Sequence, residues 1–106
     1  MVTMFTFALM RVQAFKTLRF FFEKHSDCES QLRAWYKDAE HAEWKSPDEV
    51  KKFHVTASVI GDNRIVFNIK GNRYRLIVKF HYDRGWAFIR FIGTHAEYDK
   101  INAETI

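Results

Sequence analysis

Two apolar-rich runs, Arg64–Lys70 and Arg73–Tyr82, stand either side of Gly71-Asn72. That dipeptide suits a two-residue hairpin turn, which needs positive φ. Such a turn sets the register, and the register is self-consistent. It pairs Ile69 with Tyr74, Phe67 with Leu76 and Ile65 with Val78, all apolar and all on one face. The other face carries Asn68 beside Arg75 and Arg64 beside Lys79. A slip by one residue would bury the arginines, so the pairing is strongly specified. A second tight turn at Asp83-Arg84 adds a third strand, Trp86–Gly93. Phe80 then faces Ala87, Val78 faces Ile89 and Leu76 faces Phe91. Arg90 falls beside Ile77, on the face of Arg73, Arg75 and Lys79.

The first half reads as helical. Gln13 to His25 places Phe15, Leu18, Phe22 and His25 on one stripe. A second helix runs from Ser26 to about Glu43, with Ser26 as cap and Glu29 completing a capping box. Its stripe is Cys28, Leu32, Trp35, Ala39 and Ala42. Ser46-Pro47-Asp48-Glu49 repeats the start signal for a short helix to about Lys52. A short strand is expected around Met10–Val12. Thr94 caps a last helix, with Glu97 at the reciprocal position. The expected class is α+β, with two N-terminal helices packed on a twisted, mainly antiparallel sheet and a short C-terminal helix. With 106 residues, one domain is expected, and 11 Phe supply ample core. A single cysteine excludes an internal disulfide and a cysteine-based zinc site. The only apolar N-terminal run, Met1 to Met10, is too short to span a bilayer. Its basic residues follow it rather than precede it, unlike an export signal. A cytoplasmic protein without a membrane partner is expected.

Charge is uneven along the chain. Residues 1–62 hold nine basic and nine acidic side chains, whereas residues 63–106 hold eight and four. Between Asn63 and His95, Arg64, Lys70, Arg73, Arg75, Lys79, Arg84 and Arg90 face Asp83 alone. Such a block is the electrostatic footprint of a polyanion, although a solvated strand face has the same composition. His95 follows the strand bearing Arg90, and Tyr98 shares its helix face. The helix start adds a positive dipole end. Together these residues make an anion site with two proton-transfer groups beside it. RNA cleavage fits that set, because the substrate's own 2′-hydroxyl is the nucleophile. The protein needs only to move two protons and stabilise the phosphate, tasks suited to His and Arg. A non-catalytic RNA-binding module, or a face that docks an acidic segment of a partner protein, would use the same charges.

Three stretches resemble one family: Val66 to Leu76, Ile89-Arg90-Phe91, and Gly93-Thr94-His95-Ala96-Glu97-Tyr98-Asp99-Lys100-Ile101. The helical half agrees through Lys16-Thr17-Leu18-Arg19, Leu32-Arg33-Ala34-Trp35-Tyr36 and Trp44-Lys45-Ser46-Pro47. They resemble the HigB toxins of type II toxin–antitoxin systems, related to RelE-like mRNA interferases. The similarity spans about residues 10 to 106, leaving residues 1–9 as an N-terminal extension to a single RelE-like domain. The resemblance implies a metal-independent endoribonuclease without cofactors, cutting mRNA on the ribosome by 2′-hydroxyl attack. It also implies a HigA-like antitoxin with a helix-turn-helix domain, and operator DNA reached only through the toxin–antitoxin complex. Arg75, Arg90, His95 and Tyr98 are the expected catalytic set, and Lys70, Arg73 and Lys79 the expected RNA-binding positions. Phe88 stands where relatives often have Tyr, so no hydroxyl is available there.

Overall fold

A computed structural model describes residues 10–106; the expected extension at residues 1–9 lies outside them. The chain runs β1 (Arg11–Gln13), α1 (Phe15–Lys24), a 3₁₀ turn (Ser26–Cys28), α2 (Glu29–Glu40), α3 (Pro47–Phe53), β2 (Ser58–Ile60), β3 (Arg64–Ile69), β4 (Tyr74–His81), β5 (Trp86–Thr94) and α4 (His95–Tyr98). The class is α+β, as expected. The five strands form one sheet in the order β1-β5-β4-β3-β2, with β1 parallel to β5 and every other pair antiparallel. No helix among the described residues is long and apolar enough to cross a membrane.

The central hairpin has the register its sequence dictates. Ile69 pairs with Tyr74, Phe67 with Leu76, Ile65 with Val78, Asn68 with Arg75 and Arg64 with Lys79. The turn is closed by the Arg73 N–H on the Lys70 carbonyl at 3.1 Å. Positive φ falls on Lys70 and Gly71, not on Asn72 as expected. Pairing of β4 with β5 agrees at Phe80–Ala87 and Val78–Ile89, then departs. A β-bulge inserts one residue opposite Ile77 and Val78, so Ile77 pairs with Phe91 and Leu76 with Ile92. The expected Leu76–Phe91 pair and the Arg90–Ile77 neighbourhood are thereby displaced by one position.

The helix starts follow their capping signals only in part. Ala14 adopts left-handed backbone (φ 75°), so Gln13 belongs to β1 and the helix begins at Phe15. Ser26 does not cap α2; it opens the 3₁₀ turn, and Glu29 pairs instead with Arg33 at 2.7 Å. Ser46 does cap α3, accepting from the Glu49 N–H. The apolar stripes pack as their spacing requires. Leu18 and Phe22 of α1 and Leu32, Trp35 and Ala39 of α2 join Ile65, Phe67, Leu76, Val78, Phe80 and Ala87 in one core under the inner sheet face. Burial of each large apolar side chain contributes about 1.5–3 kcal/mol.

The outer face also buries apolar groups. Val66 and Ile77 are inaccessible to solvent yet lie outside that core. The segment after α4 folds back over this face. The Ile106 carbonyl accepts from Arg64 and Arg90, and the Glu104 carboxylate lies against Gly61.

Candidate active site

Three of the expected residues meet where β4, β5 and α4 join. Tyr74 pairs with Thr94 and Arg75 with Gly93, which carries Arg75 to the mouth of α4. The Thr94 hydroxyl accepts from the Glu97 N–H at 3.1 Å, and the Glu97 carboxylate accepts from the Thr94 N–H at 2.8 Å. This capping box holds a helix of only four residues. The His95 N–H is also bound, donating to the Arg73 carbonyl at 3.0 Å. A Cβ at Gly93 would stand 2.6 Å from the Phe91 ring and 2.8 Å from the Glu97 carboxylate, so a larger residue would displace one of these side chains.

Arg75 lies with its guanidinium carbon 5.0 Å from the centre of the Tyr98 ring. One Nη donates to the Asn72 side-chain oxygen at 2.7 Å, while Nε is buried without a partner. A buried unpaired guanidinium N–H is a donor waiting for an acceptor. His95 and Tyr98 stand 6.4 Å apart by ring centres, on one face of α4. The His95 Nδ1 lies 3.2 Å from the Asp99 carboxylate. Donation through Nδ1–H orients the ring and leaves Nε2 free to exchange a proton.

The remaining cations do not form the single open face the strand pattern suggests. Arg73 sits in the turn and pairs with Asp27 at 2.9 Å, which turns it toward the helical layer. The Tyr74 hydroxyl donates to the same carboxylate at 2.8 Å and, helped by Arg73, holds Asp27 below the usual carboxyl range. Lys79 lies 3.4 Å from Asp62, whose carboxyl is lowered chiefly by its hydrogen bond with Arg64. Arg90 donates through Nε to the Ile106 carbonyl at 3.1 Å. Lys70 is exposed at the turn, its main-chain N–H held by the Gln31 side chain at 2.7 Å. Arg75, His95 and Tyr98 thus form one group, and Arg64 and Arg90, joined through the Ile106 carbonyl, form another.

Two residues of this arrangement lie outside the set expected from the sequence. Asn72, at the hairpin turn, holds Arg75. Arg64, taken as a surface cation, is 4% exposed and ties the C-terminal segment down through Nε and Nη2. The hairpin register could have flagged Asn72, three positions before Arg75; nothing local marks Arg64 as buried. Among the described residues, no group of three or more His, Cys, Asp or Glu is placed to hold a metal ion.

A comparison with curated proteins found no match. A family model does match, over residues 28–101, and that span takes in Asn72, Arg75, Arg90, His95 and Tyr98 along with α2 and the whole central sheet from β2 to β5. The chain belongs to the HigB toxin family, the RelE-like toxic components of toxin–antitoxin systems.

Proposed function

We propose that this toxin is an endoribonuclease that cuts mRNA on the ribosome and is restrained by a HigA-like antitoxin, the pair acting together on operator DNA. The observation that carries this reading is the Arg75 guanidinium set over Tyr98, with one buried N–H unpaired, beside a His95 ring braced by Asp99. Arg75 binds the scissile phosphate and stabilises its growing negative charge. The substrate's 2′-oxygen attacks phosphorus, the bond to the 5′-oxygen breaks, and a 2′,3′-cyclic phosphate and a 5′-hydroxyl result. The 2′-hydroxyl loses a proton and the leaving oxygen gains one; His95 Nε2 handles one of these transfers. Tyr98 supports Arg75 from below and offers a hydroxyl to the same phosphate. Arg90, held through Nε, presents its Nη groups to a flanking phosphate, and Lys70 is exposed at the hairpin turn. Lys79 and Arg73, already paired with carboxylates, contribute less.

The test is 5′-end mapping of a message in a translating extract, with and without ribosomes. Arg75→Ala and His95→Ala should each lower the cleavage rate by about 10²–10⁴-fold while leaving the fold intact by circular dichroism. Normal cutting by both variants would refute the assignment. Binding to RNA without any cleavage by the native chain would mark a binding module instead.

A further inference from the structure

A cavity of about 150 Å³ lies between α2, the segment after α3, and β3, lined in part by Trp35, Asp38, His54 and Phe67. Its polar groups are unusual for a core. Trp35 is 3% exposed, yet its Nε1–H has no hydrogen-bond partner. The His54 Nε2 is buried and unpartnered as well. An indole N–H can only donate, and leaving one unmet in the interior costs about 1–3 kcal/mol. Burial also pushes the His54 pKa below its ordinary value, which keeps the ring neutral at pH 7. The Asp38 carboxylate supplies an acceptor. The walls are flat rings: Trp35 and His54 both meet Phe67 edge-on, at 5.4 and 5.1 Å between centres.

The cavity is connected to the candidate active site. Gln31, Thr56 and Asn68 line both it and a shallower groove that ends at Gly71 and Asn72. Asn72 is the residue that holds Arg75, and Asn68 is Arg75's cross-strand neighbour. β2 pairs β3 only from Arg64 to Val66, so the groove follows the stretch of β3 that β2 leaves uncovered.

We propose that this cavity is a subsite for one unstacked nucleobase of the bound RNA, reached along this groove from the phosphate at Arg75. The proposal rests on the ribonuclease reading above. A base presents an acceptor beside a donor on one planar edge. Trp35 Nε1–H meets the acceptor, Asp38 takes the donor, and His54 can serve either. The aromatic walls bury its faces, and the Gln31 and Asn68 amides line the mouth. Single-stranded RNA is read in this way, by aromatic contact and hydrogen bonds to splayed bases. A site of this size takes a single ring system, well short of the volume that larger ligands fill.

The experiment uses the whole ¹⁵N-labelled toxin and four 2′-O-methyl trinucleotides, one per base, which bind but cannot be cut. The expected result is that at least one of them moves the Trp35 indole N–H resonance together with the Arg75 Nε–H, leaving Trp44 and Trp86 in place. Trp35→Phe keeps an aromatic ring, smaller than indole, and removes the donor. It should weaken that trinucleotide about five- to tenfold and leave the weakest binder unchanged. His54→Gln provides the same comparison should Trp35→Phe not fold. If Arg75 responds while Trp35 does not, the base subsite is refuted and the nuclease reading stands. If neither responds, both fall. A Trp35 resonance that answers only the antitoxin would make the cavity a protein-docking pocket and overturn the proposal.

Discussion

The two faces of the sheet are both buried, but by different means. The inner face packs Ile65, Phe67, Leu76, Val78 and Phe80 against two helices, with shape and apolar area as the only requirements. The outer face buries Val66, Ile77 and the Arg64 side chain, and the chain end is tied to it by hydrogen bonds from Arg64 and Arg90 to a single carbonyl. Apolar packing is spread over many contacts and tolerates reshaping. A few directional bonds to a shared oxygen do not, and on the same face Arg75 keeps an unmet donor. The stable face and the chemically capable face are therefore the two sides of the same strands, and alternate residues of β4 serve one or the other.

The largest effect should come from the inner face. Phe80→Ala removes a fully buried ring and should cost about 3–5 kcal/mol of unfolding free energy in a denaturant titration. Arg64→Leu probes the outer face. It should cost less, about 1–3 kcal/mol, because a buried cation is lost along with its partners. Its signature is local: faster amide exchange at Ile106, whose N–H bonds Asn102 at 3.0 Å, with the inner-face strands still protected. An Arg64→Leu loss exceeding that of Phe80→Ala would break the comparison. The smallest effect concerns the tie between the hairpin turn and the helices. Asp27 is held below its usual carboxyl range in the folded chain, so its contribution is present above the unfolded pKa and is lost as pH falls through the folded one. Tyr74→Phe removes the main cause of that lowering. The variant should lose less stability than the native chain between about pH 4 and lower pH, as melting curves across that window will show.

What could be read from the chain, and what could not, follows the range of the forces involved. The β3–β4 register was legible because one short turn and two alternating runs demand the same pairing. The Thr94–Glu97 box was legible because its partners are three residues apart. Ser58–Ile60 was missed as a strand, since three residues carry no period and their pairing depends on β3 already being in place. The bulge at Ile77/Val78 was missed because both strands alternate well locally; only the joint packing of Ile89 and Ile92 demands an extra residue. Ser26 carries a cap signature but loses to the 3₁₀ turn that brings Asp27 to Tyr74 and Arg73. At the site, the grouping of Arg75, His95 and Tyr98 came from register and helix spacing. The withdrawal of Arg73, Lys79 and Arg90 to Asp27, Asp62 and Ile106 did not, because each partner is distant in sequence or lies in a segment without periodicity.

The parallel pairing of β1 with β5 has a practical consequence. Arg11 lies opposite Trp86, at the start of β5, while His95 follows its end, so the two are separated by the length of a nine-residue strand, about 30 Å. Arg11 is exposed. A dye attached there would report on the molecule's tumbling or its capture by a large assembly without standing in the way of anything that reaches the imidazole.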